Sequence, residues 1–151
     1  MKQLCIIPCG NKKIWDKEPH LGQVEAVNAY TGTFHLLCRQ YADMFFDDWV
    51  ILSAKHGFLF PEDLVPGNYN VSFSMKTEEV ITLEKLQMQA DEKNLHQFEE
   101  IVILGGKKFK PIAENILKGK FIYPLKDCGG IGYMQQMLKK AVLTEHSLHE
   151  E

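Results

Sequence analysis

The order of its apolar segments predicts an α/β protein: a three-layer sandwich around a four-stranded, mainly parallel sheet. Three observations support this. Four short runs, Gln3 to Pro8, Trp49 to Ser53, Ile101 to Leu104 and Phe121 to Tyr123, are apolar without clean alternation, as in strands covered on both faces. Helix-spaced segments separate them, and such an order closes most simply into parallel strands. Each run also ends at a corner rich in glycine or proline, as expected where a strand leaves a sheet.

Taken in order, the first strand ends at Pro8 and opens into Cys9-Gly10-Asn11-Lys12-Lys13, a loop continuing to a short helical piece around Val24 to Asn28. Thr31-Gly32-Thr33 then precedes Phe34, Leu37, Cys38, Tyr41 and Phe45, whose spacing marks one face of a helix from Thr33 to Phe46. The second strand ends in Ser53-Ala54-Lys55-His56-Gly57. Phe58 to Ser74 holds Pro61, Pro66, Gly67 and Asn68 and reads as an ordered loop or small hairpin over the sheet edge. Thr77 to Phe98 carries Val80, Leu83, Leu86 and Leu95 on a charged helix. The third strand stops at Gly105-Gly106 before a helix from Lys107 to Leu117. Cys128-Gly129-Gly130-Ile131-Gly132 introduces a last helix, and residues 144–151 form a polar tail expected to fray, leaving 1–143 as a single domain.

Composition narrows the function classes. With 151 residues and 45% hydrophobic content the chain can bury one sizeable core. A net charge of −3 provides no whole-molecule basic field, so any contact with nucleic acid must be local. The N-terminal apolar run is too short for a signal segment or membrane span, which predicts a cytoplasmic protein with no membrane partner. Cys5, Cys9, Cys38 and Cys128 lack C-x-x-C spacing and are expected to be free thiols. The scattered His20, His35, His96, His146 and His149 suggest no metal cluster, and no cofactor is expected. The sequence leaves oligomeric state open.

In open α/β sheets ligands bind beyond the carboxyl ends of the strands, which gathers four loops into one candidate site. Pro8, Gly10, Asn11, Lys12, Lys13, Ser53, Gly105, Gly106, Lys107, Gly129 and Gly130 would supply amides and ammonium groups for an anion, with Lys108 and Lys126 nearby. The alternative is a solvated lysine surface. His56 is the candidate acid/base, with Lys55 beside it able to lower its pKa, or else a packing residue against Phe58. Cys9 is a candidate nucleophile, or simply a buried small thiol. Trp15, Tyr30, Phe58, Tyr69 and Tyr133 lie in or near loops, where an aromatic face is available to stack on a base or else to pack in the core, and Thr31 follows Tyr30 at the same rim. Gly105-Gly106 and Gly129-Gly130-x-Gly132 match neither a Walker A loop nor a dinucleotide fingerprint.

Pro8-Cys9-Gly10-x-Lys12-Lys13, Tyr30-Thr31-Gly32-x-Phe34, Leu52-Ser53-Ala54-Lys55-His56-Gly57 and Leu104-Gly105-Gly106 together resemble an uncharacterised family of small bacterial and phage domains of unknown function. The middle third, from Tyr30-x-Gly32 through Ser53-Ala54 to Phe60-Pro61-x-Asp63-Leu64-Val65-Pro66, is also similar to the YaaA peroxide-stress family, whose members are thought to bind DNA. Where that family continues with Pro-Tyr-Arg, this chain reads Pro66-Gly67-Asn68-Tyr69-Asn70. The strand order and glycine-rich loops look like uracil-DNA-glycosylase architecture, although that family's Gly-Gln-Asp-Pro-Tyr motif does not occur. These resemblances imply a nucleotide, nucleobase or nucleic acid as partner. They leave three functional classes: an N-glycosidic hydrolase, a noncatalytic DNA-binding stress protein and a small-molecule nucleotide sensor.

Overall fold

The computed structural model describes residues 2–149, with the side chain of Lys107 outside the description. The elements run β1 (Gln3–Pro8), β2 (Val24–Glu25), α1 (Ala26–Ala29), α2 (Thr33–Phe45), β3 (Trp49–Ser53), β4 (Gly57–Leu59), β5 (Leu64–Val65), α3 (Leu83–Glu92), β6 (Glu100–Ile103), α4 (Lys110–Ile116), β7 (Lys120–Ile122) and α5 (Ile131–Thr144). Among these the main sheet has five strands in the order β4-β3-β1-β6-β7. β1 pairs in parallel with β3 and β6, and β6 with β7.

The four-stranded expectation therefore requires correction. After the tight turn at Ala54 to His56 the chain folds back antiparallel, setting Ile51 against Leu59 and Ser53 against Gly57. Gly57 makes this possible with a φ of +76°, a backbone region that side chains strongly disfavour. Within Phe58 to Ser74, expected to be an ordered loop or small hairpin, Phe58 and Leu59 belong to β4 and Leu64–Val65 form β5, whose Val65 pairs with Val24 of β2 in a small second sheet. The short helical piece expected from Val24 thus starts as a strand.

Helix boundaries also differ. The helix expected across Thr77 to Phe98 is confined to α3. Thr82 caps it, its Oγ1 accepting from the Lys85 amide at 3.2 Å, and Asn94 ends the following turn in the left-handed region. The Ile81 amide instead donates to the Ala54 carbonyl at 2.7 Å, so this segment secures the β3–β4 turn. Before α4, residues Lys107–Phe109 form a 3-10 turn. Of the 144–151 tail expected to fray, Thr144 ends α5, the Leu148 amide donates to the Tyr41 hydroxyl at 2.6 Å and the His149 ring stacks on Phe46, while residues 150 and 151 lie outside the described residues.

Alternation along the strands divides the core between the two faces. Cys5, Ile7, Ile51, Val102 and Leu104 pack with Leu37, Cys38 and Tyr41 of α2 and Leu138 and Ala141 of α5. Leu4, Ile6, Val50, Leu52, Ile101 and Ile103 pack with Leu86 and Ala90 of α3 and Ala113 and Ile116 of α4. With helices on both faces, the direction of winding reverses at β1, which lies between β3 and β6. The loop leaving β1 therefore occupies the switch point where such sheets take ligands.

Candidate functional site

At the switch point Gly10 turns the chain with a φ of +83°. A cleft of about 580 Å³ opens between the loop from Pro8 to Lys12, Gly105 and Gly106 after β6, and the first turns of α2 and α5. Gly32, Thr33, Phe34 and His35 form one wall, and Ile131, Met134 and Gln135 the other. An adjoining cleft of about 390 Å³ shares Pro8, Gly10, Asn11 and Lys108 and is completed by Cys9, Leu52, Ala54, Phe73 and Phe109.

The charge along these walls is one-sided. Lys12 and Lys108 line the larger cleft, and among the described residues neither cleft has an Asp or Glu in its lining. Both bordering helices begin at a glycine, Gly32 or Gly130, with no side-chain cap. Their first amides consequently lack the side-chain acceptor that normally satisfies a helix start, a setting that favours an anion.

Behind the loops lies a buried polar cluster. Ser53 Oγ accepts from the amides of Lys55 at 3.2 Å and His56 at 3.1 Å and lies 2.7 Å from the Tyr69 hydroxyl. That hydroxyl in turn meets the hydroxyl of Tyr30. Burial pushes both phenols up, Tyr30 to about 12, so both remain protonated. Lys13 is only 3% exposed; its ammonium lies 4.4 Å from the centre of the Tyr69 ring and donates to the Asn11 carbonyl at 2.9 Å. Burial lowers its pKa, while Cys9 and Asp16 oppose the shift.

His35 is buried in the α2 wall. Its Nδ1 lies 2.7 Å from the Pro8 carbonyl, and its Nε2 has no hydrogen-bond partner. Burial pulls its pKa down to about 4, against the lesser effect of the Pro8 bond, so the ring is neutral at pH 7.

The structure brings together Pro8, Gly10, Asn11, Lys12, Gly105 and Gly106 in the larger cleft and places Cys9 in the adjoining one. Lys13, Tyr30 and Ser53 belong to the buried cluster, and the Thr31 amide donates to the Lys12 carbonyl at 3.0 Å, bracing the loop. Gly129, Gly130 and Tyr133 stand at the start of α5 beside the cleft, outside its lining. Lys55 and His56, in the turn after Ser53, also lie outside both linings. The His56 ring meets Tyr69 edge-on at 4.9 Å, its carbonyl accepts from Gln89 Nε2 at 2.8 Å, and burial followed by Lys55 lowers its pKa. The side chain of Lys107 lies outside the described residues. Sequence reasoning missed His35. Its spacing to Cys38 and Ala42, both buried, was the available signal that this histidine faces inward.

Residues 4–140 match the model of a family of unknown function, DUF6884. The chain is also 50% identical over 150 residues to the uncharacterized protein YfjM of Bacillus subtilis, a match covering 98% of this chain and all of that protein. No helix among the described residues is long and apolar enough to cross a membrane.

Proposed function

We propose that this chain, which belongs to the DUF6884 family, binds a nucleotide in the cleft at the β1 switch point. The observation that carries the reading is the composition of the cleft's walls. Lys12, Lys108 and the uncapped starts of α2 and α5 offer positive charge and free amides, no described carboxylate opposes them, and Phe34, Ile131 and Met134 provide apolar surface. A ligand suited to both features is an anion joined to a flat apolar group. A nucleotide has that chemistry, with phosphate at the helix starts and base against the apolar wall.

The resemblance of the middle third, from Ala29-Tyr30-x-Gly32 to Pro66, to the YaaA family and of the architecture to uracil-DNA glycosylases supports the same ligand class. In this reading the protein binds the nucleotide free or as part of a strand, and hydrolysis of the N-glycosidic bond is the reaction such a site would carry. Calorimetric titration with nucleoside 5′-monophosphates, the matching nucleosides and inorganic phosphate tests it. The monophosphates should bind more tightly than either fragment; equal or absent binding of all three rejects the reading. Release of free base from nucleotides and damaged oligonucleotides separates a hydrolase from a binding protein, and competition by a single-stranded oligonucleotide separates a strand-binding protein from a nucleotide sensor.

A further inference from the structure

We propose that the smaller, adjoining cleft is a second base-binding subsite, so that the ligand is two nucleosides joined through a phosphate rather than a single nucleotide; this rests on the nucleotide reading above. At about 390 Å³ the smaller cleft falls within the range of about 300–1,000 Å³ that holds small-molecule ligands. Its apolar wall is independent of the larger cleft's. Leu52 belongs to β3, Val71 and Phe73 to the segment after β5, and Phe109 and Ile112 to the start of α4. Because α4 packs on the sheet face opposite α2 and α5, the two clefts flank the end of β1.

The seam between them is short and cationic. Both clefts share Pro8, Gly10, Asn11 and Lys108, and no described Asp or Glu lines either one. Gly10 puts only backbone at this seam, and the Lys108 ammonium lies 5.2 Å from the centre of the Phe109 ring. An anion site with an apolar wall on each side matches a ligand built as flat group, anion, flat group. One nucleotide has a single base and leaves one wall uncovered. Two nucleosides joined by a phosphate have the full pattern, as a free dinucleotide or as one step of a strand. On the smaller side Phe73 is a half-buried aromatic ring, and the hydroxyls of Ser72 and Ser74, 3.0 Å apart, can each donate to or accept from a base edge.

Calorimetry with three ligands tests this: a nucleoside 5′-monophosphate, the 5′-phosphorylated dinucleotide, and that dinucleotide with its second base removed. The complete dinucleotide should bind about tenfold more tightly than the monophosphate, the size expected when one base stacks on an aromatic wall, and the abasic form should lose most of that gain. An abasic form as tight as the complete one assigns the gain to the added phosphate and overturns the subsite. A dinucleotide no tighter than the monophosphate also overturns it, while the reading of the larger cleft stands. If none of the three binds, both readings fall. An oligonucleotide extended at both ends identifies the source: affinity at least equal to the dinucleotide's indicates a strand, weaker binding a free dinucleotide, and either result is consistent with the second subsite.

Amide shifts locate the second base without a variant. Those of Ala54, Val71, Phe73 and Ile112 should move with the complete dinucleotide and stay in place with the monophosphate. Equal movement with the monophosphate seats its single base in the smaller cleft and rejects the proposal. Phe73→Leu keeps apolar bulk but removes the ring, so the ratio of dinucleotide to monophosphate affinity should fall severalfold; an unchanged ratio contradicts the assignment.

Discussion

The Tyr69 hydroxyl stands 2.7 Å from Ser53 Oγ, and this bond fastens the irregular segment after β5 to the end of β3. Ser53 Oγ also holds the amides of Lys55 and His56, so one buried oxygen shapes the β3–β4 turn and anchors the segment that contributes Val71 and Phe73 to the smaller cleft. The floor of the site is set by side chains that no ligand needs to touch.

Tyr69→Phe separates the bond from the packing. The ring remains under the Lys13 ammonium and beside His56, while the Tyr30 hydroxyl loses a buried partner. The expected cost is about 1–3 kcal/mol, read as a lower urea midpoint with an unchanged m-value. An unchanged midpoint would mean that the hydroxyl cluster contributes little to stability.

Gly57→Ala should cost more. Besides the φ of +76°, a Cβ at this position would meet Gln89 Oε1 at 2.0 Å and Ile81 Cδ1 at 2.6 Å. Gln89 bridges the turn, accepting from the Phe58 amide and donating to the His56 carbonyl, both at 2.8 Å. Its displacement adds to the backbone strain, and a loss of about 2–4 kcal/mol is expected in thermal or urea unfolding. Wild-type stability in this variant would contradict the geometry of the turn.

Acid should unfold the protein partly through His35. Its folded pKa is about 4, below the roughly 6.5 of an exposed histidine, so between these values the unfolded chain binds the extra proton. Stability is accordingly full above about pH 6.5 and falls as pH drops toward 4, by a contribution on the order of 3 kcal/mol. His56 shifts in the same direction with greater exposure and should add less. Urea midpoints measured from pH 7.5 to 4.5 should fall less steeply for His35→Asn than for the wild-type protein; parallel slopes would remove His35 from the explanation.

The sheet core and the loops at the carboxyl ends of its strands were legible because they follow from period and topology. Trp49 to Ser53 could be read as a buried strand because its apolar residues do not alternate, whereas the switch point at β1 needed the spatial strand order of the folded sheet. The edge strand from Gly57 to Leu59 was less visible, because three residues carry too little pattern and depend on the glycine turn before them. His56 looked central through its place in the chain, but its ring packs edge-on against Tyr69 and it lies outside the linings of both clefts, while His35 lies in the wall of the larger one. Such side-chain directions arise from tertiary packing, which a linear reading does not contain.

Lys12→Ala and Lys108→Ala test the charge at the cleft. Each should weaken nucleoside monophosphate binding, by about tenfold for the pair, and reduce its dependence on salt, because exposed lysine contacts with phosphate are screened. Thermal stability should stay within about 0.5 kcal/mol of wild type, as expected for surface positions. Unchanged affinity in the double variant would place the anion elsewhere.

The most direct measurement of the central claim is an amide NMR titration of the wild-type protein with a nucleoside 5′-monophosphate. Binding at the switch point predicts the largest shifts at Gly10, Lys12, Thr33, Phe34, His35, Gly106 and Ile131, the residues where the β1 loop meets the starts of α2 and α5. Shifts confined to another surface, such as Lys120 to Lys126 beside β7, or no shifts at millimolar ligand, would contradict it.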